Sequence, residues 1–356
     1  MRYETPERRR SPVGEALETI KGARRVILTT HMNADGDAVG SEVAVCAWLR
    51  ASGAEAWLVN PTPFPTLFEF LLPDPTWVVP PTEDRVHELC ASADLAVVVD
   101  TGEVPRLGRV KPLIDHLETV VIDHHPTGDQ PIAGVSFRDS SACATGEMVY
   151  DLIRAARGPW PRAALEGIYV AILTDTGSFR FSNATPACHR VAADLIEMGV
   201  DPEESHRRVY GASPLRRFRL LQICLDTLQV DPTGSVAWME VPRDAFERLQ
   251  AEPEDLEGLV DYPRAIEGVE VGLLFRQTSH GDTKVSFRSN GPVDVNRIAR
   301  DFGGGGHVRA SGALVTGPPH KIVPKVLAAT LDAVRDPQHG NGSSDKTDGT
   351  PAAGGK

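Results

Sequence analysis

The stretch RVILTTHMNADGDAVGS, residues 25–41, decides how the rest of the chain is read. After Arg25 it opens apolar and β-branched without alternation, as in a strand buried on both faces of a parallel sheet. It turns polar at His31, and a helix begins near Ala38, which leaves Asp35 and Asp37 in the connecting loop. Residues 94–99 and 119–122 have the same strand character, and helical patterns lie between the three runs. That alternation predicts a doubly wound parallel α/β sheet. The first strand runs into His31, Asp35 and Asp37, the second into Asp100, and the third into Asp123, His124 and His125. Ligands of open α/β sheets bind outside the carboxyl ends of the strands, so these endings are expected to share one crevice. Helical patterns follow over 144–157 and 161–174, and the second delivers Asp175 at its end.

Taken singly, Asp35 or Asp37 reads as a helix cap and His31 as a satisfied structural imidazole. Four separate segments that each bring acid or histidine to one sheet edge reverse that reading. Carboxylates two residues apart in a loop diverge, so Asp35 and Asp37 suit different ions, and Asp100 is placed to bridge. The charges of Asp35, Asp37, Asp100 and Asp175 balance two divalent cations. Neutral His31 and His124 complete a nitrogen and oxygen set suited to Mn2+, with Mg2+ or Co2+ as alternatives. Two ions about 3.5–4 Å apart would share and acidify a water and stabilise charge on phosphorus, chemistry that needs no protein nucleophile.

Outward from this core, 356 residues predict two domains of ordinary size. The expected layout is a metal-binding catalytic domain over 13–190, a helical connector over 191–229 and a smaller α/β domain over 230–335. The tail 336–356, almost devoid of apolar residues, is expected to be disordered. A net charge of −12 argues against a grip on long nucleic acid, which calls for a basic footprint. Cys46, Cys90, Cys143, Cys188 and Cys224 form no CxxC pair, as expected of reduced thiols in the cytoplasm. Residues 1–11 carry Arg8, Arg9 and Arg10 with no apolar run behind them, so they do not read as a secretory signal. No stretch approaches the roughly 20 apolar residues of a membrane span.

In the second domain, Gly303 to Gly306 lead into His307, Arg309 and Gly312. Consecutive glycines let backbone N–H groups face an anion. As a pattern alone the run also fits a flexible linker, but it lies inside the domain and leads into apolar Ala313, Leu314 and Val315.

The segments 31–41, Val99-Asp100, 123–125 and Thr174-Asp175 resemble, in order, the four motifs of the DHH phosphoesterase superfamily. The GGGH run resembles that of the DHH-associated C-terminal domain, and the resemblance covers about residues 13–335. It implies His31, Asp35 and Asp100 on one Mn2+, and Asp37, Asp100, His124 and Asp175 on the other. Asp100 and His125 would be the catalytic pair, with His125 touching the substrate phosphate and Asp123 orienting a ligand. Gly304, Gly305, Gly306, His307 and Arg288 would hold the nucleotide, with Asn296 and Arg309 as weaker candidates. Ala34 departs from the proline common before the first Asp, which bears on loop rigidity more than on ligand chemistry. Residues 174–183 look most like the nanoRNase and pAp phosphatase branch, where Arg180 and Asn183 would contact substrate.

The expected activity is hydrolysis of short oligoribonucleotides to nucleoside 5′-monophosphates, and of 3′-phosphoadenosine 5′-phosphate (pAp) to AMP, by a hydroxide between the metals. The alternative is cleavage of cyclic di-AMP or pApA. A RecJ-type single-strand DNA exonuclease, a family II pyrophosphatase and a silent nucleotide-binding protein fit less well. Partners are expected to be short RNA and nucleotides, with no membrane and no stable long nucleic acid, and a homodimer is compatible with the sequence.

Overall fold

The segment that follows α1 (Glu7–Ile20) forms β1 (Arg25–Thr29), α2 (Gly36–Ala51) and β2 (Glu55–Leu58) in a computed structural model that describes residues 3–211 and 213–336. Next come α3 (Arg85–Ala91), β3 (Leu95–Val99), α4 (Lys111–Ile114), β4 (Glu118–Asp123) and β5 (Val135–Arg138). The helices α5 (Thr145–Ala155), α6 (Arg162–Asp175), α7 (Pro186–Glu197) and α8 (Pro202–Tyr210) complete the first of two compact units, which divide after Ala212.

The first sheet is parallel throughout, in the order β2-β1-β3-β4-β5. In such an order the strand sequence reverses between β1 and β3, which places a crevice at their carboxyl ends. Side chains alternate between two buried faces. Val26, Leu28, Val97, Val99 and Ile122 join one core with α2, α5 and α6, while Ile27, Ala96, Val98 and Val121 meet Val86, Cys90 and Ile114 on the other. That two-sided burial explains the continuous apolar runs of the sequence.

Helices α2 and α6 cross at Gly40 and Gly167 with backbone against backbone. A Cβ on Gly40 would lie 2.3 Å from the Gly167 carbonyl oxygen, and one on Gly167 would lie 2.5 Å from that of Gly40. The crossing brings the start of α2, with Asp37, beside the end of α6, with Asp175. Gly167→Ala must therefore push the helices apart, and a thermal melt should show about 1–3 kcal/mol of destabilisation. A melt unchanged from wild type would show that the crossing has slack.

The second unit contains α9 (Leu215–Asp226), β6 (Gln229–Val230), β7 (Val236–Val241), α10 (Arg243–Arg248), α11 (Asp261–Arg264) and β8 (Val271–Gln277). These are followed by β9 (Thr283–Ser289), α12 (Val295–Asp301), β10 (Gly305–His307), β11 (Ala310–Val315) and α13 (Pro319–Arg335). Its mixed sheet runs β10-β11-β9-β8-β7-β6, with only β7 and β8 parallel. One face buries Leu273, Phe275, Val285 and Phe287 against α12 and α13, and the other buries Met239 and Leu274 with Leu220 and Cys224 of α9. The helical stretch expected to join the domains is thus shared out, with α7 and α8 in the first unit and α9 in the second. The expected tail falls outside the described residues from 337 onward. Among the described residues no helix is long and apolar enough to cross a membrane.

Candidate metal centre

Each residue of the centre is held by the element that ends there. Thr30, last before His31, donates its amide to Asn60 Oδ1 (3.1 Å) and its hydroxyl to the Val99 carbonyl (2.8 Å), which ties the end of β1 to β3. Asn60 in turn donates to both oxygens of Glu42, whose pKa burial pushes up to about 8. His31 is 3% exposed, and its Nδ1 faces the Met32 carbonyl at 2.9 Å. Nδ1 therefore carries the proton, and the Nε2 lone pair points at Asp100 Oδ2 (3.3 Å) and Asp35 Oδ2 (4.0 Å). Nε2 is buried with no hydrogen-bond partner among the described residues. The lone pair thus faces one buried carboxylate, Asp100, and one exposed carboxylate, Asp35, and a cation between them would turn repulsion into coordination.

Asp35 unites two readings that the sequence set against each other. Its Oδ1 caps α2 by accepting from the amides of Asp37 and Ala38 (both 3.1 Å), which leaves Oδ2 turned toward His31. Asp37 is buried. Its Oδ2 accepts from the Thr145 amide (2.7 Å), and its Oδ1 accepts from the Gly146 amide and the Ser41 hydroxyl (both 3.0 Å). The start of α5 thus offers its free N–H groups to this carboxylate.

Asp100 is 1% exposed and sits in the left-handed region (φ 59°), which Asp tolerates better than most residues. Its Oδ1 accepts from the Thr145 hydroxyl at 2.8 Å and lies 3.7 Å from His124 Nε2 and 3.6 Å from His125 Nδ1. His124 Nδ1 faces the Ala142 carbonyl (3.3 Å), and its Nε2 lies 3.6 Å from Asp37 and 3.9 Å from Asp175. His125 donates from its amide (3.0 Å) and Nδ1 (2.9 Å) to Asp123 Oδ1.

Burial pushes the carboxyls of Asp37, Asp100 and Asp175 above their ordinary range, and neighbouring carboxylates push Asp37 and Asp100 further. Burial lowers His31, whereas at His124 the fields of Asp37 and Asp175 outweigh burial and raise it. Asp123 goes the other way, because hydrogen bonds and charge from His125 outweigh its burial. Donor atoms cluster within 4.8 Å of one another in three groups, namely His31, Asp35 and Asp100; Asp37, His124 and Asp175; and Asp100, His124 and His125. Asp100 belongs to two of them. The donors are carboxylate oxygens and imidazole nitrogens, and they fit divalent cations.

Asn183 lies elsewhere than against open solvent. Its Nδ2 donates to the Cys143 carbonyl (2.9 Å) and to the backbone and side-chain oxygens of Asp175 (3.1 and 3.2 Å). Arg180 is exposed, and its Nε donates to the Gly177 carbonyl (2.6 Å). Thr145, Gly146, Ser41 and Asn60 were not picked out from the sequence. Only Ser41, four residues beyond Asp37 on a helix, carried a spacing signal.

In the second unit, Ala310 of β11 is in register with Arg288 on one side and His307 on the other. Directly paired residues share a face, so the small Ala310 separates the two basic side chains. Arg288 is largely buried, which lowers its pKa, and its Nη1 donates to the Phe287 carbonyl (3.0 Å). Gly306 has φ 141°, and a Cβ there would lie 2.6 Å from the Ala310 carbonyl oxygen. The glycine run is therefore built into a β-hairpin. Asn296 Oδ1 is buried beside it with no hydrogen-bond partner among the described residues.

The DHH family N-terminal domain matches residues 25–172, and the DHHA1 domain matches residues 235–336. The chain belongs to the DHH family. The bifunctional oligoribonuclease and PAP phosphatase NrnA of Thermus thermophilus is 34% identical over 325 residues, which span 91% of this chain and 93% of that protein. The Bacillus subtilis protein of the same name is 28% identical over 304 residues, 85% of this chain and 92% of that one. A solved exopolyphosphatase-related protein from Bacteroides fragilis has the same fold, with a TM-score of 0.84 at 22% identity over 91% of this chain and 96% of that one.

Proposed function

We propose that this chain is a divalent-metal phosphoesterase that hydrolyses short oligoribonucleotides to nucleoside 5′-monophosphates and converts pAp to AMP. The observation that carries this reading is the buried lone pair of His31 Nε2, aimed with Asp35 and Asp100 at one point as metal ligands are. The named activity of the Thermus and Bacillus relatives supports the substrate class.

His31, Asp35 and Asp100 would hold one ion, and Asp37, Asp100, His124 and Asp175 a second, with Mn2+ as the best match and Mg2+ or Co2+ as substitutes. Bound there, the ions supply Lewis acidity toward water and the phosphoryl group. The chain's own groups do the rest. His125, oriented by Asp123, would contact a phosphate oxygen. Asn183 holds the Asp175 carboxylate in place, and the exposed Arg180 would meet a phosphate. Arg288, His307 and the Gly304 to Gly306 backbone hold the part of the nucleotide remote from the reacting phosphorus. All five cysteines are unpaired and buried, in keeping with a cytoplasmic location.

A substrate panel with Mn2+ tests the reading, using pAp, RNA from dinucleotides upward, cyclic di-AMP, pApA and single-stranded DNA. Activity should disappear with chelator and return with Mn2+, and kcat/KM should fall steeply from di- and trinucleotides to long RNA. A profile flat in length, or full activity in metal-free protein, would overturn it.

A further inference from the structure

We propose that the N-terminal helix α1 is part of the metal centre, with Arg9 as a positioning residue that holds the segment 139–147 against it. The inference rests on the metal-dependent reading above. Arg9 lies ahead of the family match, which begins at residue 25.

Arg9 is 1% exposed, an unusual place for a guanidinium. It faces three carboxylates, through Nε to Asp139 Oδ2 and through Nη1 to Glu147 Oε1 (2.7 Å) and Asp151 Oδ2 (3.0 Å). Asp139 and Glu147 are the two ends of one short segment. At the first end the Asp139 amide donates to the Asp123 carbonyl (3.3 Å), and at the second Glu147 Oε2 accepts from the Cys143 amide (2.9 Å).

Between those ends the segment touches three of the residues assigned to the ions and reaches a fourth through Asn183. Ala142 offers its carbonyl to His124 Nδ1, and Cys143 offers its carbonyl to the amide of Asn183, which reaches Asp175. Thr145 and Gly146 donate their amides to Asp37, and the Thr145 hydroxyl donates to Asp100. Arg9, with Arg8 beside it on Asp139 and Ser141, thus fixes the strip of backbone that aims Asp37, Asp100, His124 and Asp175. Glu147 and Asp151 have no other charged partner among the described contacts, whereas Asp139 also pairs with the exposed Arg8 (2.9 Å).

Mn2+ that binds the native state slows every amide that exchanges through global opening, so coupling of α1 to the centre is read as slowing beyond that shared change, the reciprocal of its effect on metal affinity. Hydrogen exchange of the full chain should therefore slow over residues 7–20 by more than the shared change when Mn2+ is added. Arg9→Met leaves Glu147 and Asp151 without a charged partner and can fail to fold, so Arg9→Lys, which keeps the charge but loses the fork, is the working variant. Its Mn2+ affinity by calorimetry should fall about tenfold, with kcat reduced and KM for short RNA within about threefold of wild type. Exchange over 7–20 that slows with Mn2+ no more than the shared change, or an Arg9→Lys protein that melts lower yet binds Mn2+ as wild type does, overturns the proposal alone. Wild-type protein that binds no Mn2+ overturns the metal reading, and this proposal with it.

Discussion

Asp100→Asn is expected to abolish hydrolysis of short RNA while making the metal-free protein more stable. Asn tolerates the left-handed backbone at this position and can still accept from Thr145, so the change removes little except charge. In the absence of metal that charge is a liability. Burial and the neighbouring carboxylates both push Asp100 up, and Asp100 does the same to Asp37. Relief of the repulsion should raise the melting temperature in chelator, by about 2–4 °C for each kcal/mol recovered in a unit of this size. With Mn2+ the sign reverses, because Asp100 contributes to two of the three donor clusters. Metal-induced stabilisation should largely vanish, and turnover should fall by more than about a hundredfold, since residues that only orient a ligand already cost roughly 10–100-fold. Near wild-type turnover would show that Asp100 does not bridge. A lower melting temperature in chelator would show that its role is structural.

The second large effect separates the two units. Asp37→Asn should lower kcat even at saturating substrate, since Asp37 is assigned to the ions. His307→Ala and Arg288→Ala should instead weaken the hold on the distal part of the nucleotide. Loss of one charge-assisted contact removes roughly 1.5–3 kcal/mol, or about one to two decades in kcat/KM, much of it in KM. Bis-p-nitrophenyl phosphate lacks that distal part. The His307 and Arg288 variants should cleave it nearly as wild type does, and Asp37→Asn should not cleave it. If the former variants lose this generic activity while folded and metal-loaded, the division of labour is wrong.

How much of this was legible depended on burial. Strands β1, β3 and β4 are covered on both faces, so their apolar runs are continuous and easily read. The edge strands β2 and β5 have one neighbour each and are partly exposed, and their four-residue sequences carry no such run. Strand β10 escaped because glycine contributes nothing to strand pattern and its pairing with β11 is what orders it. His31, Asp35, Asp37, Asp100, His124 and Asp175 could be singled out because each lies at the end of an element. Their supports could not, since Thr145 is 108 residues from Asp37 and Arg9 is 138 from Glu147, separations at which no periodicity speaks. Asn183 carries a contact that the resemblance did not supply, because its Nδ2 donates to Asp175 and to the Cys143 carbonyl across 40 residues of chain.

The meeting of α2 and α6 at Gly40 and Gly167 has a consequence for how the chain tolerates change over generations. Where two helices rest on side chains, every swap of a core residue resets their spacing, and anything mounted at their ends drifts with it. Here peptide group rests on peptide group, and main-chain thickness is the same in every protein. Turnover of Val, Ile and Leu elsewhere in the core can then raise or lower stability while the separation of Asp37 from Asp175 stays put. The crossing acts as a fixed gauge, so sequence drift in this unit should be paid in melting temperature well before it is felt in ion coordination.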